Sequence, residues 1–245
     1  MNHGGRAAAW SVAALVAFNL FLHLPISDVF DGLARRYGFT EYDTVTRAVF
    51  LVGGIVSAVW LWWPHGAGVR KALLALAGLI AVAQALIVVN GIEAIHYPQY
   101  ALMAGLLVRA GLGLERSWIA ATALGAVDEI WQWQTLPRAV PGYLDWNDIL
   151  LNAVGGALGV LVMIRLRRAP AVEALLPIEW VAGAVAIAGL IASLSGPLVE
   201  LPFYRQTPGG RWFHLMSPFE AVVCLSMVWW VARDLASTRV AQPSP

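Results

Sequence analysis

Cysteine is nearly missing from this chain, charge is scarce, and the common phosphate and cofactor signatures are absent. The single cysteine, Cys224, excludes an intrachain disulfide and any cysteine-rich metal site, and its apolar neighbours mark it as a buried, unreactive thiol. Charged residues make up 13% of the chain and the net charge is +1. So weak a field, with no run of Lys or Arg, argues against nucleic acid as a partner. There is no Ser-centred nucleophile motif, Walker-type phosphate loop or dinucleotide glycine pattern, which leaves energy-coupled transport and redox cofactors without support. Arg6 precedes an apolar stretch, but no small-residue cleavage pattern follows near His23 and Pro25. That segment reads as a retained first helix.

What fills the chain instead is hydrocarbon. Hydrophobic residues make up 59% and the mean hydropathy is +0.68, against roughly 45–50% apolar residues in a soluble domain. They fall in blocks close to the ~20 residues a helix needs to cross about 30 Å of lipid, where every backbone group must be satisfied internally. The expected fold is therefore all-α, a polytopic transmembrane bundle of eight spans, or seven because several are short. The spans are placed at 7–24, 48–63, 72–89, 100–114, 118–134, 148–164, 178–194 and 218–231, with Pro and Gly clusters between them. Three segments follow: N-terminal transmembrane helices over 1–89, a polar-rich core over 90–168, and C-terminal transmembrane helices over 169–245.

Short basic loops stay cytoplasmic. Eight spans put Arg6, Arg70, Lys71, Arg109, Arg116, Arg165, Arg167, Arg168, Arg233 and Arg239 on one side. Arg35, Arg36, Arg47, Arg138, Arg205 and Arg211 fall on the other. The first side is expected to be cytoplasmic, with both termini there, the chain being a multi-pass protein of the cell membrane. Asp28, Asp31, Glu41 and Asp43 then sit in a long external loop, and Trp131 and Trp133 in an outer aromatic belt.

Under this topology Glu93, His96, Asp128, Glu129, Gln132, Arg138, Asp145, Asp148 and Asn152 collect at the external face. Asp128 and Gln132, Glu129 and Gln132, and Asp148 and Asn152 each share a helix face. Asn152, Gly155, Gly156 and Gly159 form a stripe that admits a close helix neighbour. An acid at mid-bilayer costs about 2.5–3.5 kcal/mol on insertion scales, so the Asp128 and Glu129 pair needs compensation, and Arg138 is the nearest base. Bland readings stand beside this: Asp148 as a helix cap, Asp145 as loop surface, His96 and Glu93 as interfacial residues, and the acidic pair as an ion-paired structural knot.

The stretches HYPQYALMAGLL, GAVDEIWQWQTLPR and DILLNAVGGALG together resemble the VanZ-like membrane proteins, a family named for a protein associated with teicoplanin resistance. The likeness covers roughly residues 90–165 and rests on a His, a Tyr four on, Asp-Glu-x-x-Gln, a following Arg, and Asp-x-x-x-Asn before Gly-Gly-Ala. It points to His96, Tyr100, Asp128, Glu129, Gln132, Arg138, Asp148 and Asn152, and implies a bacterial cell envelope setting with a link to antibiotic resistance. Glu93 stands where members often carry Lys, and Trp131 where they often carry His.

Two readings of function remain open. One is an envelope enzyme acting on a lipid-linked or amphiphilic substrate, with Asp128, Glu129, His96 and Asp148 catalytic and Arg138, Gln132, Asn152 and Tyr100 binding substrate. Adjacent carboxylates compete for ionisation and so can supply an acid beside a base, while Arg205 or Arg211 could hold an anionic group. In one variant Glu93, His96 and Glu129 bind a divalent metal ion. The other reading is a non-catalytic membrane protein that binds a glycopeptide, lipid or partner, or a transporter.

Overall fold

A computed structural model of the chain describes residues 3–62, 67–135, 144–166, 204–207 and 209–238. They are predominantly helical. Helices α1 (His3–Tyr37), α2 (Phe39–Trp62) and α3 (Ala67–Leu86) precede a short 3₁₀ turn (Gly91–Ile95), and α4 (His96–Arg109), α5 (Leu114–Thr135) and α6 (Trp146–Arg165) follow. A hairpin of β1 (Tyr204–Gln206) and β2 (Trp212–His214) leads into α7 (Pro218–Thr238). The seventh expected span, 178–194, lies outside the described residues.

The largest departures from expectation are one helix boundary and one hairpin. The first helix does not stop before Pro25 but runs to Tyr37, so the expected external loop over 25–47 is helix apart from Gly38. Proline is tolerated in membrane helices where neighbouring groups satisfy the freed carbonyl, and α1 ends only at Gly38, whose φ of 88° is left-handed and suits glycine. The hairpin is the second departure from an all-helical chain. Its strands pair antiparallel, with Arg205 opposite Phe213.

Helix α6 is the centre of the molecule, packed chiefly against α4 and α5 and then against α7. Its small residues set that packing. A Cβ at Gly155 would lie 2.7 Å from the carbonyl oxygen of His96 and 2.8 Å from that of Tyr97, and one at Gly159 would press on the carbonyl of Ala101. The stripe therefore lets the α4 backbone lie on the α6 backbone. Trp118 of α5 closes the other side, its indole N–H donating to the Ala153 carbonyl at 2.8 Å.

Among the described residues two helices, α2 and α6, are long and apolar enough to cross a membrane. They sit in opposite surroundings. The most apolar stretch of α6 is 78% buried, whereas that of α2 is 6% buried. Val45, Val49, Val52, Val56 and Val59 of α2 all face outward.

Candidate functional site

The N-terminal end of α4 meets the N-terminal half of α6, and there His96 is clamped. Asp148 and Asn152, four residues apart on α6, both turn toward its ring: Asn152 Oδ1 lies 2.7 Å from Nδ1 and Asp148 Oδ2 lies 3.6 Å from Nε2. With the Asn152 amide set this way its oxygen can only accept, so Nδ1 carries the proton of that bond. Nε2 is left facing a carboxylate. One turn along α4, the Tyr100 ring stacks on His96 at 6.2 Å between centroids, and its hydroxyl donates to Asp128 Oδ2 at 3.5 Å. Next to Asp128 on α5, Glu129 accepts from the Gln132 amide at 3.4 Å. His96, Tyr100, Asp128, Glu129, Gln132 and Asn152 are all buried.

Close approach of α5 makes room for this cluster only because residue 125 is glycine. A Cβ there would lie 2.7 Å from Asn152 Nδ2 and 2.8 Å from Asn152 Cβ. Two buried atoms, Asp128 Oδ1 and Asn152 Nδ2, have no hydrogen-bond partner among the described residues.

Several expectations change on this geometry. Asp145 caps α6, its side chain accepting from the Asp148 N–H at 3.2 Å. The helix starts earlier than expected, which frees the Asp148 carboxylate to face His96. Glu93 does not join His96 and Glu129 in a metal site. Its carboxylate accepts from the Val89 N–H at 2.7 Å and from the Asn90 amide at 3.3 Å, and no three His, Cys, Asp or Glu side chains among the described residues are grouped to hold a metal ion. Burial, then the nearby Asp148 and Asp145, push the Glu93 carboxyl well above its ordinary range, against the pull of the bonds from Val89 and Asn90. Arg138 lies outside the described residues.

Three supporting groups, Asn147, Arg47 and Arg211, gave little warning in the sequence, because the long-range partners that matter are mostly backbone atoms. Asn147 donates to the carbonyls of Ile87 and His214 at 3.0 and 2.8 Å and accepts from the Met216 N–H at 3.0 Å, tying α6 to the end of α3 and to the strand leading into α7. Arg47, paired with Asp43 at 2.9 Å, reaches the Gln84 and Val88 carbonyls. Arg211 of the hairpin, expected to hold an anionic group, donates instead to the carbonyls of Val88 and Val89. Together they fix the turn that delivers His96.

No family model, curated protein or solved structure matches the chain. What can be said of its chemistry therefore comes from the cluster. An imidazole whose Nδ1–H is bonded to an amide oxygen and whose Nε2 is turned to a carboxylate can take up a proton at Nε2 and release it again from the imidazolium so formed. The Tyr100 to Asp128 bond lies beside that ring.

Proposed function

We propose that the chain is a multi-pass bacterial membrane protein of the VanZ-like type, and that the His96 cluster is a one-sided acid–base site at the extracytoplasmic face, acting on a lipid-linked or amphiphilic envelope substrate. The observation that carries the reading is His96 held between Asn152 and Asp148 within a buried group that includes Asp128, Glu129 and Tyr100. Ordinary packing of an apolar bundle gains nothing from such a group, since each buried acid must be offset by bonds or a proton. Membrane residence is supported by α2, whose apolar surface is almost wholly unburied. A core helix of a soluble protein hides that surface. The family assignment is supported by the motif residues alone.

In this reading Nε2 of His96 exchanges a proton with the substrate, Asp148 stabilises the imidazolium so formed, and Asn152 holds the ring. Asp128 and Asn152, each with one polar atom that has no partner among the described residues, receive polar groups of the substrate. The decisive experiment compares wild type with His96→Gln and with the double variant Asp128→Asn, Glu129→Gln, following envelope-lipid turnover by mass spectrometry and glycopeptide susceptibility of an expressing strain. Loss of general acid–base help should lower turnover by about 10²–10⁴-fold in protein that stays monodisperse with an unchanged melting temperature. Well-folded variants with full activity would replace catalysis by a binding role.

A further inference from the structure

At the end of the bundle opposite His96, α2 and α3 enclose a groove of about 350 Å³ lined by Ala58, Val59, Trp62, Leu73, Leu74 and Ala77. The lining follows helical spacing on both sides, so each helix offers one continuous stripe. Ala58 and Ala77 are what leave it open. Its walls present carbon almost exclusively, which no polar ligand would fill, and its volume lies within the about 300–1,000 Å³ usual for small-molecule sites.

The mouth is cationic. Arg70 continues the α3 stripe one turn beyond Leu73 and Leu74, and its guanidinium lies over the Trp62 ring, 5.3 Å from the centroid. Stacking of this kind occupies the face of the guanidinium and leaves its in-plane N–H donors for an anion. Lys71, the chain's one lysine, is adjacent and exposed. Arg165 at the end of α6 stacks on Trp60, 5.2 Å from the centroid, a further cation over a tryptophan of α2. Neither α3 nor the last four turns of α2 carry an acid, and Arg70, Lys71 and Arg165 make no ion pair among the described residues.

A hydrocarbon slot whose cations have no ion-pair partner among the described residues fits a hydrocarbon chain that ends in an anion. We propose that this groove binds an anionic phospholipid of the cytoplasmic leaflet, with one acyl chain between α2 and α3 and the phosphate on Arg70 and Lys71. The inference rests on the multi-pass reading above but not on any chemistry at His96. It assigns to the cytoplasmic face a lipid site separate from the proposed acid–base site.

The test uses the full chain, reconstituted in nanodiscs of equal phosphatidylglycerol and phosphatidylcholine, extracted in mild detergent and weighed intact by native mass spectrometry. Wild type should retain phosphatidylglycerol over phosphatidylcholine by about fivefold or more, and Arg70→Gln with Lys71→Gln should cut that retention by about fivefold per charge removed. Ala77→Phe, or Ala58→Leu should the first variant misfold, should fill the groove and release the lipid with both cations intact. Equal retention of the two lipids, retention undiminished by filling the groove, or displacement by millimolar inorganic phosphate would each overturn the proposal. Alkaline carbonate extraction separates the two failures: a chain washed from membranes sinks the multi-pass reading, while one that stays but shows no lipid preference sinks only the lipid site.

Discussion

His96 sits between an amide that accepts and a carboxylate that attracts, and the two partners do different work. Asn152 satisfies Nδ1–H inside a buried cluster, so Asn152→Ala should strand that donor and cost about 1–3 kcal/mol, read as a lowered unfolding midpoint. Glu93 offers a second test with a definite sign. Its carboxyl is pushed up by burial and by Asp148 and Asp145, so the folded state binds its proton more tightly than the unfolded chain does. The penalty on the charged form is absent below the unfolded value of about 4.3 and grows as pH rises above it, levelling off beyond the folded value. Glu93→Gln should therefore match wild type in melting temperature near pH 4 and gain on it steadily toward alkaline pH. A difference that does not vary with pH would show that the bonds from Val89 and Asn90 cancel burial, and one that falls as pH rises that they outweigh it.

The pairing of α4 with α6 is the element-level feature on which the site depends. Gly155→Ala and Gly159→Ala drive a methyl into backbone carbonyls of α4, and such overpacking costs about 1–3 kcal/mol. Gly105→Ala in the same interface is the control, since its Cβ would meet only Met163 at 3.7 Å. Thermal unfolding in detergent should show the first two lowered and the control unchanged, with the proposed acid–base activity lost in the first two. That contact was legible in the sequence, because Gly155, Gly156 and Gly159 recur at helical spacing after Asn152. So was the shared face of Asp148 and Asn152, which follows from the period of a helix. The α1 and α2 boundary was not legible: Asp28, Asp31, Glu41 and Asp43 read as loop polarity although the residues are helical. The hairpin was hidden too, its three-residue strands being too short to show an alternating pattern. The exchange of roles between Asp145 and Asp148 turned on a start of α6 two residues from the expected one, which is within the ordinary scatter of helix ends.

Across the whole molecule the two ends are chemically unlike. Asp43, Glu93, His96, Asp145, Asp148, His214 and Glu220 lie at the end where α3 finishes and α4, α6 and α7 begin, joined there by Asn147, Arg47 and Arg211. At the other end Arg70 stacks on Trp62, Arg165 on Trp60 and Arg233 on Trp229, and basic residues over tryptophans suit a cytoplasmic membrane interface. In the proposed membrane reading this polarity predicts an orientation that cysteine labelling can test. Asp145 is a poor reporter because it caps α6, whereas Gln206 is exposed in the hairpin and Leu166 is exposed just past α6. In a Cys224→Ala background, Gln206→Cys should react with an impermeant maleimide on spheroplasts, and Leu166→Cys only after permeabilisation. The reverse pattern would put the His96 cluster in the cytoplasm and exclude an extracytoplasmic substrate. Labelling of both from outside would mean that α6 does not cross the bilayer, removing the frame on which both the acid–base site and the lipid groove depend.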